Sequence, residues 1–503
     1  MPAPTDSPLQ GDAAYQALRT RDARFDGRLF VGVTSTRIYC RPVCRVRTPR
    51  PEHCRFFANA AGAELAGFRP CLRCRPELAP GLSLADSSQA LAFRAALLLR
   101  LAAQQGEDPA LPALAAHLGV TDRHLRRIFV QAHGVPPLAY LTTQRLLLAK
   151  QLLTDTALPV TEVALAAGFA SLRRFNAAFA EHYRMSPSAL RREGGQGGAG
   201  GSAIGTRPLL RLGWRPPFDI DGLLAFFARR ALPGIEQVEG LTLRRTLALQ
   251  LRGQPLAGWL EARFETARCE LALQVSPSLL PALGALQCRL RQALDLDADP
   301  EAIDAQLAEP TLAAIAPPRP GLRLPGSFDG FETAVRVVLG QQVTVAAART
   351  LALRLVERFG RPIDTPFPGL NRLFPTAEAL AAAPPEAIGT LGIVRQRVGA
   401  LQALARAVAD GRLALHRGAP VDATLDALRA LPGIGDWTAQ LVAMRTLAWP
   451  DAWPATDIGV LNALLPLTGG RRDAAAATAL AEAWRPWRAY AVMRLWLALE
   501  TPA

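Results

Sequence analysis

Four cysteines near the N-terminus constrain this 503-residue chain more than any other feature. Cys40 and Cys44 form a C-x3-C pair, and Cys71 and Cys74 form a C-x2-C pair. Thiolates at two such short spacings can converge tetrahedrally on one ion, and Zn²⁺ is the usual choice, with Zn–S distances near ~2.3 Å. The pattern therefore predicts one four-cysteine zinc site. From the spacing alone, a purely structural role for that zinc is the simpler interpretation.

The compartment follows from what the sequence lacks. The N-terminal residues carry no secretory signal pattern, and no apolar run reaches the ~18 residues that a membrane-spanning helix requires. We therefore expect a soluble, cytoplasmic protein that is not associated with a membrane. Thiols stay reduced there, which favours metal binding over disulfide bonds.

Positive charge is concentrated in the first two-fifths of the chain. The formal net charge is +14 overall, and residues 1–193 account for +10 of it. Many arginines of this segment surround the cysteines, where guanidinium groups are well suited to phosphate oxygens. We predict nucleic acid as the partner.

The sequence around the cysteines reads YCRP at residues 39–42, FANA at 57–60 and GFRPCLRC at 67–74. It closely resembles the N-terminal domain of the bacterial Ada methylation-response proteins, over roughly residues 10–80. The resemblance implies that Cys40 is a nucleophile that accepts a methyl group from a DNA methylphosphotriester, once and irreversibly. It also implies that Thr36 and Arg47 lie beside the phosphate.

This chemistry is physically coherent. Four thiolates around one Zn²⁺ carry a net charge of about −2, which leaves an electron-rich sulfur at neutral pH. Conversion of Cys40 to a thioether removes one negative charge from a surface that faces phosphates, so DNA affinity should rise after methylation. Spacing does not say which of four equivalent thiolates reacts, and a merely structural zinc module stays an alternative.

A helix-turn-helix pattern occurs twice between residues 111 and 192. Each copy has a small-residue helix, a glycine turn at Gly119 or Gly168, a Thr121 or Ser171 N-cap, and a second helix with arginines in its first turns. One copy alone could be an ordinary helical hairpin, but the second resembles the AraC-type transcriptional activators. RNA polymerase is then an expected partner. The predicted DNA contacts are Arg123, His124, Arg126, Arg127, Arg173, Arg174 and Asn176.

A glycine-rich segment at residues 194–207 predicts a flexible linker. The predicted domains are a zinc module at 1–82, a double helix-turn-helix domain at 85–193, a mixed α/β subdomain at 208–318 and a helical domain at 319–503. The fold class is multidomain α+β. Alternating apolar residues predict antiparallel strands over 241–275, and helical periodicity dominates residues 328–500.

The helical domain contains LPGIGDWTA at residues 431–439, whose glycines Gly433 and Gly435 allow a tight turn to press its backbone N–H groups against a phosphate. By itself the turn could be a simple helix C-cap. Downstream, Asp457 stands at the start of a helix, where an ordinary N-cap is the plainer interpretation. The pair together resembles the helix-hairpin-helix DNA glycosylases, in which a carboxylate at this place is catalytic.

Further segments read WRPPFD at residues 214–219, RPGLRLPG at 319–326, VLGQQV at 338–343 and WRPWRAYA at 484–491. Over roughly residues 208–500 they resemble the inducible 3-methyladenine DNA glycosylases of the AlkA type. The resemblance implies that Asp457 is catalytic and that Trp437 and Trp496 are pocket aromatics, although either Trp alone could simply be a core residue. Leu441 departs from a pocket tyrosine of that family, and Gln342 departs from its intercalating leucine.

Lys150 is the only lysine in the chain, so residues 194–503 contain none to form a Schiff base with the opened sugar. We therefore predict a monofunctional glycosylase that excises alkylated purines, fused to a methyl-activated transcription factor. The alternative is a transcription factor whose glycosylase-like half is inactive.

Overall fold

The computed structural model describes residues 11–21, 29–57, 60–74, 76, 84–156, 158–194, 210–251 and 253–500. The chain forms two compact units: residues 1–100 with 109–143, and residues 101–108 with 144–503. Apart from Gly194, the predicted linker lies outside the described residues. The division between the compact units falls within two helices of the DNA-binding region, Leu84–Gln105 and Pro137–Asp155, rather than at that linker. The predicted domain boundaries remain predictions.

The zinc module contains a four-stranded sheet that the sequence analysis did not predict. Its strands have the order β3-β1-β2-β4, with β2 and β4 parallel and the other pairs antiparallel. Strands of two to four residues are too short to show an alternating pattern. The elements are α1 (Gly11–Arg19), β1 (Phe30–Val33), β2 (Ile38–Cys40), β3 (Cys54–Phe57), α2 (Ala60–Leu65) and β4 (Arg69–Pro70).

The described residues of the DNA-binding region form helices joined by short turns, with no strand. The predicted N-caps are confirmed, because the Thr121 hydroxyl accepts from His124 N and the Ser171 hydroxyl accepts from Arg174 N. Gly119 adopts a positive φ of 70°, which suits a turn between two helices. The helices are α3 (Leu84–Gln105), α4 (Leu111–His117), α5 (Asp122–His133), α6 (Pro137–Asp155), α7 (Val160–Ala166), α8 (Leu172–Tyr183) and α9 (Pro187–Gly194).

The second unit contains an antiparallel five-stranded sheet in the order β5-β9-β8-β7-β6. The antiparallel strands predicted over 241–275 are confirmed, and β5 and β6 add strands outside that range. The elements are β5 (Leu210–Gly213), α10 (Ile220–Arg230), β6 (Glu236–Glu239), β7 (Thr242–Leu251), β8 (Gln254–Glu265), β9 (Glu270–Val275), α11 (Leu283–Ala293), α12 (Pro300–Gln306) and α13 (Pro310–Ile315).

The remainder of the second unit is helical, as predicted, and surrounds a large apolar core. A buried ion pair joins it to the sheet, since Arg245 of β7 contacts Glu332 of the helical part at 2.7 Å and also contacts Glu236 of β6 at 2.9 Å. The helices are α14 (Gly330–Leu339), α15 (Val345–Phe359), α16 (Ala377–Ala382), α17 (Pro385–Gly389), α18 (Arg395–Ala409), α19 (Val421–Arg429), α20 (Asp436–Thr446), α21 (Ile458–Ala463), α22 (Ala474–Ala481) and α23 (Arg488–Glu500). Among the described helices, none combines the length and the apolar character needed to cross a bilayer.

Candidate functional site

The four predicted zinc ligands come together in the first unit. The Sγ atoms of Cys40, Cys44, Cys71 and Cys74 all lie within 4.8 Å of one another, and all four residues are buried. Tetrahedral coordination at ~2.3 Å from a metal places sulfur atoms about 3.8 Å apart, so the cluster fits one Zn²⁺. Cys40 ends β2, and the backbone N–H of Arg41 donates to Cys74 Sγ at 3.5 Å.

The thiols of this cluster cannot all ionise without a cation. Hydrogen bonding to Cys44 raises the pKa of Cys40, whereas hydrogen bonds from Cys40 and Cys74 lower the pKa of the Cys44 thiol to about 2. One thiolate is thus stabilised at the expense of its neighbours. A divalent ion removes this conflict, and its chemistry matches an all-sulfur donor set.

Exposure does not single out the reactive cysteine. Cys40 is 5% exposed, against 7% for Cys71. Thr36, predicted to lie beside the phosphate, is exposed in the turn before β2, and Arg47 is exposed in the segment that follows Cys44. The surface of the zinc module therefore presents predicted phosphate ligands, and the assignment of Cys40 depends on the family motif.

A cleft of about 1260 Å³ opens in the helical part of the second unit. It brings together the residues predicted for the glycosylase site, although they are far apart in the sequence. Trp437 and Leu441 lie one helical turn apart on α20, so both side chains point to the same face. The other predicted residues that line the cleft are Gln342, Gly433, Gly435, Asp457 and Trp496.

The carboxylate of Asp457 accepts several hydrogen bonds within this cleft. Trp437 Nε1 donates to its Oδ2 at 2.8 Å, and Trp496 Nε1 donates to its Oδ1 at 2.9 Å. The backbone N–H of Val460 also donates to Oδ1 at 2.9 Å, which makes Asp457 the N-cap of α21 as well. Asp457 is 7% exposed, and its carboxylate is held by three N–H donors. Asp457 therefore both caps α21 and lies in the cleft, so the two interpretations of this residue are compatible.

The hairpin between α19 and α20 forms one edge of the cleft. Gly433 has a φ of +77°, and a Cβ atom there would lie 3.0 Å from Ala400 Cβ. Gly435 precedes α20 without a side-chain cap, whereas α21 is capped by Asp457. The exposed turn therefore presents backbone N–H groups at the start of α20, as a phosphate-binding hairpin requires.

The chain is similar along nearly its whole length to a probable bifunctional transcriptional activator/DNA repair enzyme AlkA of Mycobacterium tuberculosis. The two are 40% identical over 495 residues, which cover 98% of this chain and 97% of the relative. The chain belongs to this family of bifunctional transcriptional activator/DNA repair enzymes.

The segments of this bifunctional activator/repair enzyme match four family models in sequence. They are the metal-binding domain of Ada at residues 13–77, a helix-turn-helix domain at 114–193, the AlkA N-terminal domain at 209–329, and the HhH-GPD superfamily of base excision DNA repair proteins at 335–489. The predicted fusion and its zinc-binding, DNA-binding and glycosylase domains are thereby confirmed.

Two relatives from Escherichia coli each match part of the chain. DNA-3-methyladenine glycosylase 2 is 34% identical over 286 residues, which cover 57% of this chain and 95% of the relative. The bifunctional transcriptional activator/DNA repair enzyme Ada is 38% identical over 133 residues, which cover 26% of this chain and 35% of the relative.

The predicted DNA contacts of the activator/repair enzyme lie at the starts of α5 and α8. All of them are exposed except His124, which is partly buried. Arg126 pairs with Asp122 at 3.0 Å, and Arg127 Nη2 lies 3.0 Å from His124 Nδ1. The arginines of α5 are therefore partly engaged within their own helix.

Sequence reasoning missed two residues that support the cleft of the activator/repair enzyme. Gln341 Nε2 donates to Gly433 O at 2.9 Å and to Thr438 Oγ1 at 3.0 Å, which ties the α14–α15 loop to the hairpin. A Cβ atom at Gly459 would lie 3.1 Å from both Asp457 Oδ1 and Trp496 Cδ1. Gly459 follows the aspartate by two residues, and that proximity was the only available signal.

Proposed function

We propose that the second unit is a monofunctional glycosylase that hydrolyses the N-glycosidic bond of 3-methyladenine and other alkylated purines in double-stranded DNA. The observation that carries this proposal is the buried Asp457 carboxylate, held by two indole N–H groups and one backbone N–H within a cleft. The match to the HhH-GPD base excision repair proteins supports it.

Catalysis depends on flipping the damaged nucleotide into the cleft. An alkylated purine already carries positive charge, so it departs with the bonding electron pair and leaves as a neutral base. Asp457 either stabilises the positive charge that develops on the sugar or accepts a proton from the water that attacks C1′. The faces of Trp437 and Trp496 are suited to an electron-poor ring. No lysine is present in residues 194–503 to form a Schiff base, so the product is an abasic site.

The two departures from the AlkA pattern affect binding more than chemistry. Leu441 gives the cleft wall an aliphatic side chain in place of a tyrosine. Gln342 is exposed at the tip of the α14–α15 loop and adopts a φ of +53°. We propose that Gln342 occupies the gap left by the flipped nucleotide through polar contacts with the bases.

For the first unit, we propose that Cys40 Sγ attacks the methyl carbon of a DNA methylphosphotriester. An S–C bond forms, the methyl C–O bond breaks, and the phosphodiester leaves with the electron pair. Zinc, when bound, keeps the thiols deprotonated. Thr36 and Arg47 orient the phosphate, and the loss of one negative charge on Cys40 then strengthens DNA binding.

The methylated protein would then activate transcription through its paired helix-turn-helix motifs. Arg123 and Arg127 of α5 and Arg173, Arg174 and Asn176 of α8 would contact DNA, and His124 and Arg126 would support them. Activation implies a contact with RNA polymerase.

One reaction tests both halves. Protein and methylated duplex DNA are incubated together, the protein is analysed by intact-mass measurement, and the released bases are analysed by chromatography. We expect one added methyl group per wild-type chain, none on Cys40→Ser, and release of 3-methyladenine by both proteins. An unchanged protein mass would contradict the methyl-acceptor proposal, and an absence of released purines would contradict the glycosylase proposal.

A further inference from the structure

A continuous apolar core joins the second helix-turn-helix to the sheet subdomain within the second unit. Leu152 of α6, Val163 of α7 and Phe179 of α8 are buried in the same cluster as Leu260 of β8 and Leu283 of α11. The family models divide these segments between a helix-turn-helix domain and the AlkA N-terminal domain. In this chain, the two share one core.

Close packing shows that this contact is built into the fold. A Cβ atom at Gly284 in α11 would lie 2.8 Å from Leu148 Cδ2 of α6 and 2.6 Å from the carbonyl oxygen of Gln104 in α3, so a side chain there would force the elements apart. Gln151 Nε2 donates to Arg211 O at 3.2 Å, and Gln287 Nε2 donates to Gln151 Oε1 at 3.1 Å. These hydrogen bonds fix the relative orientation of the elements that the apolar contact packs together.

The shared core leaves the DNA-binding face of α8 open. Phe175 and Phe179 point into the core and are fully buried. Arg173, Arg174 and Asn176 are exposed. The second unit therefore carries two surfaces with DNA-binding chemistry, which are α8 and the cleft.

We propose that α8 anchors DNA for the glycosylase cleft, so that the second helix-turn-helix serves repair as well as transcription. This inference rests on the proposed glycosylase function. Residues 194–503 carry only +4 of the chain's +14 net charge, which leaves the repair half with little phosphate attraction of its own. A duplex held by α8 remains at high effective concentration near the cleft, because both surfaces belong to one compact unit.

The test compares two double variants of the full chain. Arg173→Ala/Arg174→Ala removes the charges of α8. Arg358→Ala/Arg361→Ala is the matched control, because both arginines are exposed in the second unit and neither lines the cleft. On an alkylated duplex of about 40 base pairs, we expect the α8 variant to raise KM for base release about tenfold with kcat unchanged. On a duplex of about 12 base pairs, little more than one helical turn, less DNA extends beyond the lesion and the rise in KM should be smaller.

The Arg358→Ala/Arg361→Ala control should change KM less than about twofold on either duplex. The proposal that α8 anchors DNA would be overturned by an α8 variant with wild-type KM on the long duplex, or by a control variant with an equal rise. If wild type releases no base at all, the glycosylase proposal fails. In that case the affinity of Asp457→Asn for the long duplex is measured with and without the α8 substitutions. Equal affinities would reject the proposal that α8 anchors DNA.

A second variant tests the shared core itself. Gly284→Leu should separate α11 from the end of α3 and raise KM on the long duplex about tenfold although the α8 arginines are intact. Gly399→Leu is its matched control, because a Cβ atom at Gly399 meets nothing within 4 Å. Combining Gly284→Leu with the α8 substitutions should add little further change, since both act on one linkage. Fully additive effects would contradict the inference.

Discussion

The zinc module and the glycosylase cleft hold their reactive groups by opposite means. The sheet of the zinc module packs on a small cluster, namely Phe30, Tyr39, Ala63 and Phe68, and its four buried cysteines form a second cluster. Asp457 is instead positioned by helices that surround an extensive core. A domain with little apolar core needs a metal to become stable, whereas a large core can support a buried carboxylate without one. A substitution that abolishes the activity of one reactive group should therefore leave the activity of the other unchanged.

The largest expected effect is the loss of the zinc module when a ligand is removed. Cys44→Ala should abolish both zinc binding and methyl acceptance, because three thiolates and a small core do not hold the sheet. Base release should remain at the wild-type rate. Zinc content by atomic absorption, intact mass after reaction and base release measure the three properties. Cys54→Ser is the control, since Cys54 lies outside the cluster. A Cys44→Ala protein that retained one zinc and accepted a methyl group would contradict this account.

Asp457→Asn should impair the glycosylase cleft and leave the zinc module intact. We expect base release to fall about 10³-fold, because the amide lacks the charge that stabilises the transition state. Methyl acceptance should be unchanged, and DNA binding should persist. Asn is a good N-cap, so α21 should keep its start.

A matched control separates catalysis from capping. Asp473 caps α22 by accepting from Ala475 N and Ala476 N, and it does not line the cleft. Asp473→Asn should therefore release bases at the wild-type rate. Substantial turnover by Asp457→Asn would remove Asp457 from the mechanism.

Local features of the sequence predicted much of this architecture. The zinc ligands lie within two short motifs, and the caps of α5 and α8 lie next to their helices. The tertiary setting of Asp457 was beyond such reasoning, because its indole donors lie 20 and 39 residues away in the chain. The same holds for the core shared by α8 and the sheet. Contacts between residues so far apart in the sequence depend on how whole elements pack, which periodicity does not encode.

A buried carboxyl group makes the folding stability of the second unit depend on pH. Burial raises the pKa of Asp295 to about 6, although its Oδ2 accepts from Tyr490 Oη at 2.6 Å and from Leu324 N at 3.0 Å. A raised carboxyl pKa means that the folded state retains the proton while the unfolded state loses it. Stability should thus fall as the pH rises from about 4 to about 6, and the full cost should persist above that.

Asp295→Asn should remove this cost, because one amide oxygen can accept both hydrogen bonds. We expect the free energy of unfolding of the second unit to rise by about 2–3 kcal/mol at pH 8 and to change little at pH 4. Chemical denaturation at the two pH values measures this difference. The zinc module should unfold as in wild type. Equal stability changes at both pH values would show that the charge of Asp295 does not cause the effect.

The smallest expected effect distinguishes two roles of Trp437. Phenylalanine keeps an aromatic face for the flipped base but removes the Nε1–H that donates to Asp457 Oδ2 at 2.8 Å. A hydrogen bond to a charged group contributes about 1.5–3 kcal/mol, so Trp437→Phe should lower kcat about tenfold or more while KM changes little. Trp453→Phe is the control, because Trp453 Nε1 donates to Thr478 Oγ1 at 3.1 Å, outside the cleft. If Trp437→Phe raised KM and left kcat unchanged, the indole would serve the base by stacking, and Trp496 and Val460 N would suffice to position the carboxylate.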